Sequence, residues 1–513
     1  MAEEGRQTGA ASGTTEAAEP KRRLQEEAPV VTRHQVTIAG RALRYTATAG
    51  FLPLRDDKDE IEAQIFFVAY TLDHEGEQAT SERPLTFAFN GGPGSASIWL
   101  HLGALGPRRV RLQPDGAMPA PPFRLIDNED TWLARTDLVF VDPVGTGYSR
   151  AASAELSEKF WGYQGDIDSL SEFIRLYLTR YERWTSPLFL AGESYGTLRA
   201  GGLSGRLIEM GIALNGIVLI SAVLSYLTVD MWTGQANDLP FALFLPSFAA
   251  AAWYHQKLPE ALRHLPLTEF LDEVERFAVD DYLTALVRGD GLPAEERQHM
   301  IAAVARRTGV DERYVDNSEL RLQIHRFCKE LLRDRKLTVG RLDSRFTGID
   351  VLAVTDVPDY DPSLVQPTPP FTATFNEYVR GQLRFRSDLE YETLNGEVNR
   401  KWRFDTETGR PGRRTGYLDT SRELRKAMVR NPYMKVLVAY GYYDLATPYF
   451  GIKYTIDHLG LVHTRPERSL RGNVRYAAYE AGHMMYIDDG ARRKLRDDVF
   501  AFVRDAMSGD GQG

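Results

Sequence analysis

Gly192-Glu193-Ser194-Tyr195-Gly196 is the one Gly-x-Ser-x-Gly in the 513 residues, and it follows the apolar run Leu188 to Ala191 and precedes a stretch of helical spacing from Leu198 to Met210. A sharp strand-to-helix turn at such a place strains the serine backbone and projects its hydroxyl from the end of a sheet, while small residues on both sides let strand and helix approach. A bland loop with Ser capping the helix would look similar. A hydroxyl is a poor nucleophile until a histidine takes its proton and a carboxylate holds that imidazole in the right tautomer. Asp444 follows the strand-like KVLVAY in GYYDLATP, 250 residues after Ser194, and His483 follows VRYAAYE in EAGHMMY, 39 residues further on. Serine, then acid, then histidine, each in a loop after a strand, is the chain order of one class of serine nucleophile. Ser194 as nucleophile, Asp444 as orienter and His483 as base and then acid form the candidate triad.

A second glycine cluster, Asn90-Gly91-Gly92-Pro93-Gly94, stands directly after the run Leu85 to Phe89. Backbone N–H groups in such a loop can converge on one spot and, with the N–H of Tyr195, stabilise an oxyanion. Phosphate cradling fails on sequence: no Gly-Lys-Ser/Thr follows, and Gly145-Thr146-Gly147 lacks the third glycine of a dinucleotide fingerprint. His74-Glu75-Gly76-Glu77 starts like a zinc helix but lacks the second His, and no metal cluster stands out, so neither metal nor cofactor is expected. Cys328 reads as a packed thiol. The basic residues from Arg321 to Lys336, interleaved with acidic and apolar ones, read as one solvated helix face.

The elements that must position these residues alternate. His34 to Phe51 and Gln64 to Leu72 read as antiparallel strands opening a sheet. The short apolar runs Leu85 to Phe89, Leu138 to Val141, Leu188 to Ala191, Ile217 to Val223 and Lys435 to Ala439 suit strands buried on both faces. Asp166 to Tyr181 carries Ile167, Leu170, Phe173, Ile174, Tyr177 and Leu178 on one helical stripe. Helices are also expected at Ile452 to Leu459 and Arg492 to Met507, with a strand at Val474 to Tyr479. The expected fold class is therefore α/β, a mostly parallel central sheet with helices on both faces. From about 225 to 374 the spacing turns helical, including Pro293 to Arg306 and Leu320 to Lys336, which implies a helical insertion. The expected division is a disordered tail at 1–29, core at 30–224, insertion at 225–374 and core again at 375–513. Leu239 to Tyr254 is apolar throughout, and for Phe241 to Tyr254 a helix core is the favoured reading over a pocket wall.

Composition sets the outer bounds. Hydrophobic residues are 43% and charged residues 26%, enough to bury a large core. The formal charge of −9 offers no broad field for nucleic acid or an anionic membrane. Met1 to Pro29 has no apolar signal core, which points to the cytoplasm. Met210 to Val229 is uncharged over 20 residues but is punctuated by Asn215-Gly216, so no membrane span is expected. With Cys328 alone, no intrachain disulfide can form. No oligomeric state follows from the sequence.

Asn90 to Gly94, Gly192 to Gly196, the Asp444 loop, Ala481-Gly482-His483-Met484 and Asp142-Pro143-Val144-Gly145-Thr146-Gly147-Tyr148-Ser149 together resemble the serine carboxypeptidase family, from about residue 35 to the C-terminus. The resemblance implies an α/β-hydrolase fold with a helical lid, lacking here the family's disulfides. It implies release of C-terminal residues from peptides with a free C-terminus through an acyl-enzyme. Gly92 and Tyr195 would form the oxyanion hole, Asn90, Gly91 and Glu193 would bind the terminal carboxylate, and Met484 would line the pocket of the leaving residue. An esterase or acyltransferase on the same triad is the alternative, and a binding protein on a dead hydrolase fold a third. Two departures bear on chemistry. The family's Trp and Cys around its Asn are Ala88 and Ser95 here, and its second Glu is Ala104. Two close carboxylates sharing a proton tie relatives to acid pH, so the chain with Glu193 alone is expected to show a weaker acid preference.

Overall fold

The computed structural model describes residues 24–73, 82–231, 237–404, 416–463 and 469–508. Most of the expected tail, and His74-Glu75-Gly76-Glu77, lie outside the described residues. The tail's last part is packed instead of free: Glu26 pairs with Arg55 at 2.9 Å and Arg180 at 2.6 Å.

Nine strands form the main path of one sheet: β1 (Val30–Ile38), β2 (Arg41–Arg55), β3 (Ile61–Leu72), β4 (Leu85–Phe89), β5 (Asp137–Val141), β6 (Leu188–Ser194), β7 (Gly216–Ala222), β8 (Lys435–Gly441) and β9 (Val474–Tyr479). Their order is β1-β2-β3-β5-β4-β6-β7-β8-β9. The first three pair antiparallel, as β3 does with β5, and every later pairing is parallel. The short strand Arg150–Ala151 adds to β3. Strands β4, β5 and β7 are buried along their whole length, which is why their sequences run apolar without alternation. Successive side chains still point to opposite faces. Phe87, Val139 and Leu190 join one apolar cluster, and Ala88, Phe140 and Ala191 the other.

Helices α1 (Tyr163–Arg180) and α2 (Tyr195–Glu209) cover the first face. Ile167, Leu170, Phe173, Ile174, Tyr177 and Leu178 are buried there, the stripe expected from spacing. The second face is covered in part by the C-terminal helix Asp489–Met507, through Leu495, Val499, Phe502 and Val503.

Between β7 and β8 lie helices α3 (Leu239–Tyr254), α4 (Leu267–Phe277), α5 (Ala294–Thr308), α6 (Thr368–Gly381) and α7 (Ser421–Arg430). Helix α3 is buried almost all round and packs on α4 and α5. Position 374 falls inside α6, whose Phe371 and Phe375 are buried in the second cluster, and α7 packs on α2. The solvated helix expected over Arg321 to Lys336 is not what forms. The α-helix is confined to Ile324–Glu330, and Lys329 is 3% exposed and ion-paired with equally buried Asp350. A buried ammonium needs such a partner, and Asp350, 21 residues on, could not be matched to it from spacing. Cys328 is buried with its thiol free, and burial raises its pKa far above the ordinary range. Among the described residues no helix is long and apolar enough to cross a membrane.

Candidate active site

The serine turn has the strain its sequence implies. Ser194 ends β6 with φ 58° and ψ −128°, a backbone region costly for any residue with a Cβ, and α2 starts at the next residue. Closeness demands glycine around it: a Cβ on Gly192 would lie 2.2 Å from the Gly196 carbonyl oxygen, and one on Gly196 2.5 Å from that of Phe89. The serine is thus held up at the end of the parallel strands.

Asp444 and His483 follow the neighbouring strands β8 and β9 and meet there. The distance from His483 Nδ1 to Asp444 Oδ2 is 2.7 Å, and Asp444 is fully buried. Asp444 Oδ1 accepts the N–H groups of Ala446 and Thr447 at 2.7 and 3.0 Å, and the Thr447 hydroxyl lies 2.7 Å from Oδ2 and 2.9 Å from the Ser221 carbonyl oxygen. These bonds fix the carboxylate so that Oδ2 faces the imidazole. Burial disfavours the imidazolium, but the charge and hydrogen bond of Asp444 outweigh it and hold His483 above its ordinary range. The backbone of the histidine loop is pinned from two sides. Ser221, itself at φ 48°, donates its hydroxyl to the His483 carbonyl at 2.6 Å, and the His483 N–H donates to the Leu342 carbonyl at 2.6 Å.

Ser194 and His483 line one cavity of about 120 Å³ with Asn90, Gly91, Gly92, Glu193 and Met484. Tyr195 is not on its wall. Its ring lies in the core, where its hydroxyl accepts from Trp402 Nε1 at 3.0 Å. Its N–H faces the glycine loop, 2.5 Å from where a Cβ on Gly91 would be. Any side chain at 91 would cover that amide. Arg199, 1% exposed and paired with Asp166 at 2.6 Å, holds the Asn90 carbonyl at 2.6 Å and so fixes the loop from beneath.

Glu193 lies on the cavity wall beside Ser194. It is 2% exposed, and its Oε2 accepts Asn90 Nδ2 at 2.5 Å and the Tyr486 hydroxyl at 2.7 Å. Asn90 Oδ1 accepts the Leu100 N–H at 2.9 Å, which settles its amide orientation. Burial pushes the Glu193 carboxyl up to about 7, against the pull of His483 and the bonds from Tyr486 and Asn90. Ala104 is buried in the turn of helix His101–Leu105, and the ring of Tyr486 packs against Gly103 beside it, 2.6 Å from where a Cβ would stand. A phenol therefore supplies a donor to Glu193 where the sequence lacks a second carboxyl. Tyr486, Thr447, Ser221 and Arg199 are the site residues that sequence reading did not single out. Among the described residues no group of three or more His, Cys, Asp or Glu is placed to hold a metal ion.

Known proteins resemble part of the chain that carries this arrangement. Residues 39–210 match the family model described as serine carboxypeptidase. Over that segment the chain is similar to the serine carboxypeptidases. The segment carries the Asn90 loop, the Asp142 loop and Ser194, while Asp444 and His483 lie beyond it and rest on geometry. The pheromone-processing carboxypeptidase KEX1 of Saccharomyces cerevisiae is 32% identical over 161 residues, 29% of this chain and 20% of that protein. A probable serine carboxypeptidase, CPVL, of Dictyostelium discoideum is 26% identical over 183 residues, 32% of this chain and 34% of that one. The chain thus spans about a fifth to a third of the length of these serine carboxypeptidases. The crystal structure of the Saccharomyces cerevisiae KEX1 prohormone-processing carboxypeptidase superposes with a TM-score of 0.53 over 90% of this chain and 91% of that one, at 17% identity. The chain has that protein's α/β-hydrolase fold.

Proposed function

We propose that the protein is a serine-type carboxypeptidase that releases C-terminal residues from peptides. The observation that carries this reading is Glu193, a buried carboxyl on the cavity wall beside Ser194 that burial pushes up to about 7. Below that pH it is neutral and can donate a hydrogen bond to a substrate's terminal carboxylate, with the Asn90 side chain and the Gly91 N–H as further donors.

The chemistry follows from the geometry. Ser194 Oγ attacks the last peptide carbonyl and gives its proton to His483 Nε2, while Asp444 stabilises the imidazolium. The oxyanion is received by the N–H groups of Gly92 and Tyr195. Collapse breaks the C–N bond, and His483 gives its proton to the leaving amine. Water then enters, loses a proton to His483 and attacks the acyl-enzyme, which frees the shortened peptide and restores Ser194.

Catalysis needs His483 neutral, so kcat/KM rises as pH passes its pKa, which Asp444 has raised. Carboxylate binding needs Glu193 protonated, so kcat/KM falls as pH passes about 7. Because the two groups influence each other, both limbs belong to the pair. A free-acid peptide should give a bell with its maximum near neutrality. The matching C-terminal amide, which brings no anion, should keep the rising limb and lose the falling one. Glu193→Gln should remove the falling limb for the acid as well. Steady decline for the acid from about pH 4 to about pH 7, or identical profiles for acid and amide, would contradict the assigned role of Glu193.

A further inference from the structure

One charged side chain on the cavity wall is unused by this mechanism. Arg341 lines the same cavity as Ser194 and His483 and comes from the segment between β7 and β8. Its backbone is tied to both catalytic loops. The Leu445 N–H, next to Asp444, donates to the Arg341 carbonyl at 3.0 Å, and the His483 N–H donates to the carbonyl of Leu342 at 2.6 Å. Asp361 is close but is spent on backbone: it accepts the Arg341 and Leu342 N–H groups at 3.2 and 3.3 Å. Among the described residues the Arg341 guanidinium has no carboxylate partner within ion-pair distance. A partly buried guanidinium beside a cavity, with five donors and no ion-paired carboxylate, is a receptor for an anionic group.

In the proposed mechanism the terminal carboxylate is received by Asn90, Gly91 and Glu193, which leaves Arg341, on the wall of the same cavity, for a second anionic group. The cavity wall also carries the apolar Leu342, Leu364, Leu394 and Met484. Such surroundings strengthen a charge pair and penalise an unpaired cation on the substrate.

We infer that Arg341 selects substrates by receiving the side-chain carboxylate of an Asp or Glu on one of the two residues flanking the scissile bond. This rests on the carboxypeptidase reading, and the test separates the two. Peptides identical except for Glu, Gln or Lys at the last or the penultimate position are compared by kcat/KM with the wild type, Arg341→Gln and Arg341→Lys, with fluorophosphonate labelling of Ser194 reporting an intact site in each. At one of the two positions Glu should exceed Gln by roughly ten- to hundredfold, with Lys below both. Arg341→Gln should bring the Glu/Gln ratio to about one, and Arg341→Lys should keep part of it. The inference is overturned if the wild type treats Glu and Gln alike at both positions, or if the preference survives in Arg341→Gln. It is equally overturned if Arg341→Gln lowers free-acid peptides of every sequence by the same factor and spares their amides, because Arg341 would then serve the terminal carboxylate. If no peptide is shortened although Ser194 is labelled, the carboxypeptidase reading fails, and the same Glu/Gln comparison with acyl-amino-acid esters decides Arg341 alone.

Discussion

Replacing Ser194 by Ala is expected to lower kcat for release of a C-terminal residue by about 10⁶ while leaving peptide binding within a fewfold of wild type. In the proposed mechanism the hydroxyl forms the acyl bond, and without it His483 has only water to activate. The residues proposed to bind the substrate, Asn90, Gly91, Glu193 and Met484, line the cavity beside Ser194 and none of them changes. Ser194→Gly should be equally inactive yet more stable than Ser194→Ala, by about 1 kcal/mol, because glycine adopts φ 58° and ψ −128° without the strain that a Cβ brings. Steady-state kinetics and thermal unfolding of the two variants check both statements. Near-wild-type turnover in Ser194→Ala would remove the serine from the mechanism, and equal stability would mean the turn is not strained.

Asp444→Asn carries the second largest effect, a fall in kcat of about 10⁴ with little change in substrate affinity. Asp444 Oδ1 accepts two backbone N–H groups, from Ala446 and Thr447, so the amide nitrogen of an Asn cannot sit there. It is forced into the Oδ2 position, 2.7 Å from His483 Nδ1, and there it donates. Nδ1 becomes the acceptor, the proton moves to Nε2, and the face of the imidazole turned to the serine can no longer take a proton. The variant should fold, since the loop bonds to Oδ1 are kept. Burst kinetics with an activated ester would report slow acylation with a normally populated binding step, and retention of more than about a tenth of wild-type acylation would mean that Asp444 does not set the tautomer.

The parts of this site that sequence made legible are those with a local physical signature. Ser194 announces itself because only small residues tolerate the approach of β6 and α2, and Asp444 and His483 because each follows a short apolar strand. The alternation of buried runs with helical spacing identified the parallel sheet for the same reason: strands covered on both faces cannot alternate. Tyr486 carried no such signature. Three residues after His483, it reaches Glu193 through the one-turn helix Met485–Ile487, and a tyrosine in a loop reads as ordinary core. Ser221 did leave a trace, as a hydroxyl in the middle of the apolar run Ile217 to Val223, and its use is to hold the His483 carbonyl. The insertion was least legible. Its helices follow from spacing, but Lys329 finding Asp350, and Arg341 arriving between two catalytic loops, are tertiary pairings that no periodicity encodes. With Ala104 the chain offers no second carboxyl by sequence, and it is burial, a tertiary property, that chiefly pushes Glu193 up to about 7.

The most direct measurement is the time-resolved mass spectrum of one synthetic peptide, prepared as free acid and as C-terminal amide, incubated with wild type and with Ser194→Ala. The expected result is stepwise loss of single residues from the C-terminus of the free acid, much slower loss from the amide, and none with Ser194→Ala. Internal cleavage products, or release from the N-terminus, or equal shortening of acid and amide by the wild type, would contradict the assignment of this site to C-terminal hydrolysis.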